Sequence, residues 1–301
     1  MSARGGALSR VLARLAERRV RAGSPGHESG HEPTFASPPA PAAGEIAREA
    51  VGVESFLPGG VLENAFGKVY LHERLRSEIE PRTKKWGRYP SRLSRRAFLH
   101  EELEAFALLG SGDTVFFDLE TCGLSNAPVF LAGTMHWNGT DYVVRQYFAR
   151  DYAEEAALVD ELARLLAGFS TVVSYNGKSY DVPFLADRAS LHRVPFDRPR
   201  RHVDLVHHAR RRWSGILPNC RLITIEAHVC RRRRVGDVPS DEVPGLYHDY
   251  VKYGAPHRMI PVFHHNLLDV ITMDEILRAL VGDPPEIPCE EEADFDRAIS
   301  E

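Results

Sequence analysis

No stretch of this 301-residue sequence holds eighteen consecutive apolar residues, so no segment is long enough to cross a bilayer as a helix. Cysteine is scarce. Cys122, Cys220, Cys230 and Cys289 form no CxxC pair and lack the density of a disulfide framework, so a reducing cytoplasm is the expected compartment. The spacing of Cys220, His228 and Cys230 fits no common zinc-ligand pattern, and these cysteines are expected to be buried as small apolar residues. An excess of one charge is also missing: 38 basic residues face 42 acidic ones, for a net charge of −4. Bulk charge therefore does not advertise a nucleic-acid binder, and distribution matters more than the sum. No internal repeat is visible.

What is present divides into four parts. Residues 1–45 read as a tail: a short basic amphipathic stretch, Leu8–Ala16, then a Pro-, Gly-, Ser- and Ala-rich linker. Glu17, Glu28 and Glu32 make that tail a poor transit peptide. Residues 46–112 read as an N-terminal extension packed on the core, carrying basic clusters at Lys84–Arg88 and Arg92–Arg96 and ending in a helix near Phe98–Leu109. Residues 113–281 are the expected main domain, and 282–301 a Pro-containing acidic tail.

Within the main domain, Thr114–Asp118 reads as a first strand. Val129–Trp137 and Tyr142–Phe148 read as a hairpin about Asn138-Gly139. Ala153–Leu166 shows helical spacing closed by Gly168, and Thr171–Ser174 is a short apolar strand. A helix from Val182 to about Leu191 follows, then a strand at His202–Leu205. Further helices are expected at Val206–Trp213, Leu222–Cys230, Leu246–Tyr253 and about Phe263–Leu280. Three meandering strands followed by β-α alternation describe an α/β fold with a mixed five-stranded sheet flanked by helices, the RNase H-like plan.

Three acidic stations stand out. In Val115-Phe116-Phe117-Asp118-Leu119-Glu120-Thr121, side chains alternate, so Asp118 and Glu120 share a face. Like charges side by side repel unless a cation lies between them, and oxygen ligands suit Mg²⁺. The second station, Tyr175-Asn176-Gly177-Lys178-Ser179-Tyr180-Asp181, follows a strand and opens a helix. It places Asp181 at the carboxyl end of the sheet, where open α/β folds bind ligands; the bland alternative is an ordinary helix cap. In the third, His264-His265-Asn266-Leu267-Leu268-Asp269, His265 and Asp269 share one helix face; a surface His–Asp pair is the alternative.

The order and local sequence of these stations resemble the three motifs of the DEDD (DnaQ-like) 3′–5′ exonucleases. The chain is more similar still to the YprB-type RNase H-like family. That likeness runs through Phe117–Thr121, Tyr175–Asp181, His202–Leu205, Cys220-Arg221-Leu222 with Glu226, Arg234–Pro239, and His265–Asp269, and spans roughly Phe56 to Leu280. Three positions depart from the family pattern: Cys122 replaces a threonine, the turn Gly123–Pro128 is short, and Ser240 replaces a glycine.

The resemblance implies a two-metal hydrolase using Mg²⁺ or Mn²⁺. Asp118 would bridge both ions, Glu120 and Asp269 complete the first site, and Asp181 holds the second. A histidine would orient or deprotonate the attacking water. His265 is favoured over His264, because on a continuous helix His265 faces with Asp269.

The partner implied is DNA or RNA engaged through a free 3′ end. Between Arg193 and Arg234 stand twelve arginines against Asp197, Asp204 and Glu226, a local basic surface suited to phosphates although such runs are ordinarily just solvated. Asn176, Lys178 and Tyr180 are the candidate substrate contacts, with Lys178 the best placed for a phosphate. Tyr180 and Trp213 can stack on a base, although both are expected in the core. Asp204 reads as a structural acid. Two rivals stand beside the exonuclease: a structure-selective endonuclease on the same fold, and a non-catalytic nucleic-acid-binding protein.

Overall fold

The computed structural model describes residues 52–80, 100–104 and 113–281. The two expected tails, the basic clusters at 84–88 and 92–96, and most of the helix expected near 98–109 lie outside the described residues. At the amino end, β1 (Gly60–Asn64) and β2 (Gly67–Leu75) form a hairpin that runs into a single turn of helix, α1 (Arg76–Ile79). The main domain then follows as β3 (Thr114–Thr121), β4 (Val129–Trp137), β5 (Tyr142–Phe148), α2 (Glu155–Ala167), β6 (Thr171–Ser174) and α3 (Asp181–His192). It is completed by β7 (Arg201–Asp204), α4 (Leu205–Trp213), α5 (Leu222–His228), α6 (Val243–Tyr253) and α7 (Met259–Val281).

These strands make one mixed sheet in the order β1-β2-β5-β4-β3-β6-β7. Pairing is antiparallel from β1 to β3 and parallel across β3, β6 and β7. The expectation of five strands needs correction to seven. The five expected strands are present in the RNase H-like order, and the extension adds β1 and β2 at the β5 edge. The β2 segment, GKVYLHERL, carries charge at both ends and only a short apolar middle, which hid its strand character. The extension is also fastened beyond the sheet. Arg76, buried on α1, reaches Asp274 of α7 at 2.5 Å, and Tyr142 and Arg278 close on the same carboxylate.

Alternation along β3 sorts the two layers. Val115 and Phe117 face α2 and α3, among Val159, Leu162 and Leu185. Phe116 faces the other way, onto Leu267, Val270 and Ile271 of α7. Asp118 and Glu120 have the parity of Phe116, so the carboxylates continue the row that packs under α7. That helix is buried almost all round, wedged between the sheet and the shorter helices α4, α5 and α6. Cys220 and Cys230 lie partly buried against the same cluster, as small apolar residues should.

One row of residues crosses the sheet beneath α7: Asp118 on β3, Gly133 on β4, Gln146 on β5 and His72 on β2. At its far end the His72 ring meets Phe263 of α7 edge-on, and its Nδ1–H donates to the Pro58 carbonyl at 2.6 Å. Burial, aided by the nearby Arg74 charge, lowers the His72 pKa to about 4. A histidine held neutral contributes stability above its unfolded pKa near 6.5, and that contribution is lost as pH falls toward the folded value. The full linkage is worth about 3 kcal/mol. In His72→Gln, the unfolding temperature should therefore fall less between pH 6.5 and pH 4.5 than in the wild type; parallel curves would contradict this reading.

Candidate active site

Asp118, the first acid of β3, is held by a relay from the sheet. Asn266 of α7 donates from Nδ2 to Asp118 Oδ2 at 3.0 Å, and its Oδ1 accepts from Gln146 Nε2 at 3.1 Å. Gln146 Nε2 also reaches the Phe263 carbonyl at 2.8 Å. Gly133 lies between Asp118 and Gln146 in register, and a Cβ there would come within 2.1 Å of Asn266 Oδ1. Only glycine lets Asn266 bridge the gap.

Asp181 comes from the turn after β6. Asn176 adopts a left-handed conformation with φ +68°. A Cβ on Gly177 would lie 2.4 Å from Ser174 Oγ and 3.0 Å from Asp181 Oδ2. The turn is held from below by fully buried Asp204, whose carboxylate accepts from the backbone N–H groups of Asn176 at 2.7 Å, Lys178 at 3.0 Å and Val206 at 3.2 Å. Asp204 thus uses its oxygens on backbone. Asp181 reaches across to β3, accepting from the Leu119 N–H at 3.1 Å.

Helix α7 supplies the rest. Glu120, His265 and Asp269 bring ligand atoms within 4.8 Å of one another. His265 Nδ1 lies 2.9 Å from Asp237 Oδ1, while Nε2 faces Asp269 Oδ2 at 3.4 Å and Ser240 Oγ at 3.5 Å. The helix is continuous here, and His264 is turned from this group, its Nδ1 buried with no hydrogen-bond partner among the described residues. Arg234 pairs with Asp269, with Glu226 at 2.5 Å and with Asp237 at 3.2 Å.

The electrostatics are those of crowded acid. Burial, then the charges of Asp269, Glu120 and Asp181, raise the Asp118 pKa well above the carboxylate range. Burial and the surrounding carboxylates lift Glu120 to about 8 against the opposing pull of His265. Asp181 rises to about 7, again from burial first, despite its backbone hydrogen bonds. Burial disfavours the His265 cation, yet the bond to Asp237 and the charges of Asp269 and Glu120 lift it to about 9. Glu120 Oε1 is buried without a hydrogen-bond partner among the described residues. An unsatisfied buried oxygen within a set of hard oxygen donors fits Mg²⁺ or Mn²⁺.

Beside the carboxylates opens a cavity of about 330 Å³, lined in part by Asp118, Asp181, Asn176, Tyr180 and Leu124. Of the three substrate contacts expected from sequence, Asn176 and Tyr180 reach this cavity. Tyr180 is 56% exposed, against the expectation of a core position, whereas Trp213 is buried as expected. Lys178 Nζ pairs instead with Glu102 Oε1 at 3.0 Å. The arginine runs also divide. Residues 231–234 belong to no helix or strand, and Arg231 takes a left-handed conformation with φ +53°; Arg232 and Arg234 turn inward to Glu80, Glu275 and Glu226 while Arg231 and Arg233 are exposed. Arg210 and Arg211 line a second, shallow cavity of about 650 Å³. Sequence reasoning gave no role to Asp237 and read Arg234 only as part of the basic run suited to phosphates. Their signal was the Arg-Val-Gly-Asp-Val-Pro stretch, whose residues fall beside α7 only in the fold.

The mixed sheet, the helix α7 laid across it and the acids at the end of β3 define an RNase H-like fold. The sequence profile of the RNase H superfamily matches residues 115–281, and the chain belongs to that superfamily. It is 32% identical over 163 residues to the "Uncharacterized protein YprB" of Bacillus subtilis (strain 168), a match covering 52% of this chain and 39% of that protein. The matched region thus spans well under half the length of that relative. Among solved structures, the family B DNA polymerase from the hyperthermophilic archaeon Pyrobaculum calidifontis overlays with a TM-score of 0.46 at 18% identity, covering 56% of this chain and 24% of that one.

Neutralising one crowded acid should relieve the repulsion. In EDTA, Asp118→Asn should unfold at a higher temperature than the wild type, by roughly 3–6 °C for about 1–2 kcal/mol. With Mn²⁺ the order should reverse, because the wild type gains stability from ion binding and the variant gains less. A lower unfolding temperature for Asp118→Asn in EDTA would contradict the geometry of repulsion.

Proposed function

We propose that this protein is a divalent-metal-dependent nuclease that hydrolyses phosphodiester bonds of DNA or RNA from a 3′ end. The observation that carries this reading is the convergence of Asp118, Glu120, Asp181 and Asp269 from one strand and two helices, with a histidine at their edge. Superfamily membership supports the nuclease class, and the motif order supports the 3′–5′ exonuclease within it.

Glu120 and Asp269 are the ligands on the His265 side, Asp181 is the ligand on the cavity side, and Asp118 lies between. When bound, a pair of Mg²⁺ or Mn²⁺ ions would activate water and stabilise the charge of the leaving 3′-oxygen. The chain's own contribution is positional. Asn266 fixes Asp118, and the Asp204-held turn fixes Asp181. Asp237 accepts the His265 Nδ1 proton, which fixes the ring and leaves Nε2 facing the acids to take a proton from the attacking water. The high pKa of His265 owes much to the uncompensated charges of Asp269 and Glu120, so it falls once those charges are balanced. Tyr180, exposed at the cavity, is placed to stack on a terminal base, and Asn176 to contact the adjoining sugar or phosphate.

The test is an assay on 5′-labelled single- and double-stranded DNA and RNA with Mg²⁺, Mn²⁺ or EDTA. A metal-dependent ladder shortening from the 3′ end is expected. Removal of the proton acceptor in His265→Ala should slow cleavage by about 10²–10⁴-fold, and Asp118→Ala should abolish it. Discrete internal cuts would move the reading to an endonuclease. Binding without cleavage on any substrate would overturn the enzyme altogether.

A further inference from the structure

A second cluster of ligating side chains lies outside the carboxylate site. His100, Glu102 and His208 bring three ligand atoms within 4.8 Å of one another. His208 projects from α4, and its side chain is 2% exposed; Nε2 lies 3.0 Å from Glu102 Oε2. The His100 and His208 rings meet edge to face, with centroids 5.1 Å apart. Burial lowers the His208 pKa, which keeps the imidazole neutral, the form with a lone pair to donate. Two imidazole nitrogens and one carboxylate form a donor set unlike the all-oxygen set around Asp118, and one that suits a borderline cation such as Zn²⁺ over Mg²⁺.

We propose that His100, Glu102 and His208 bind one Zn²⁺-class divalent cation, which fastens residues 100–104 onto α4. Without the ion, Glu102 is a shared acceptor: His208 Nε2 donates to one oxygen and Lys178 Nζ to the other, at 3.0 Å each. Ligation through Nε2 requires the ring proton to sit on Nδ1, so the exposed Arg211, whose NH1 lies 3.4 Å from Nδ1, turns outward to solvent. The ion also takes up the charge of Glu102 and loosens its hold on Lys178, two residues along the turn from Asn176.

The test is a Zn²⁺ titration of the full chain in a large excess of Mg²⁺, which keeps the carboxylate site occupied, read by competition with a chromophoric chelator. Co²⁺ in place of Zn²⁺ gives a visible spectrum that reports nitrogen ligation directly. One ion per chain is expected. It should be retained in Asp118→Asn and lost in His208→Gln and in His100→Gln. His100 is only partly buried, so its variant should keep the wild-type unfolding temperature in EDTA even if His208→Gln does not fold. The proposal is overturned if no Zn²⁺ binds under excess Mg²⁺, if His100→Gln keeps the ion, or if Asp118→Asn loses it. The cluster is then an ion-pair clasp only.

Discussion

Like-charge repulsion is the constraint on which this structure turns. Asp118, Glu120, Asp181 and Asp269 are brought together from distant parts of the chain into a partly buried site, where burial already disfavours the charged forms of Asp118, Glu120 and Asp181. A fold can hold such a group only if each carboxylate is fixed by something stronger than its tendency to swing away. Three of the four have identifiable fixtures: Asn266 and Gln146 for Asp118, the Leu119 N–H for Asp181, Arg234 for Asp269. Among the described residues Glu120 Oε1 is buried with no hydrogen-bond partner, and it is the natural place for a cation.

The counter-charges are arranged as carefully as the charges. Arg234 gathers Glu226, Asp237 and Asp269, so part of the acid is already balanced by protein. Asp237 then serves two partners, the Arg234 guanidinium and the His265 ring. The histidine is thereby locked in orientation with Nε2 toward the acids. An arginine run that looks in sequence like a phosphate-binding strip thus has half of its members, Arg232 and Arg234, turned inward as scaffold onto Glu275, Glu226 and Asp269.

Much of the fold was legible in the sequence because its signals are local. The Asn138-Gly139 hairpin, the apolar Thr171–Ser174 strand and the helical spacing of α2 and α7 each declare themselves within a dozen residues. The parity argument placed Asp118 and Glu120 on one face, and the fold puts both under α7. The β1–β2 hairpin was not legible, because an edge strand with charged ends lacks the apolar run that marks a central one. Nor were the relays. Gly133, Gln146 and Asn266 meet only through strand register and helix packing, and nothing in the sequence near Asp118 announces them. Tyr180 was misplaced for a related reason: its aromatic character suggests a core, whereas the tight turn around Gly177 carries it outward.

The most direct test of the central claim, that these four acids are a divalent-metal site, is anomalous diffraction from crystals soaked in Mn²⁺. The account predicts manganese peaks among Asp118, Glu120, Asp181 and Asp269, with one beside the buried Glu120 Oε1. Crystals that take up manganese elsewhere, or show the four carboxylates unchanged and without metal, would contradict it.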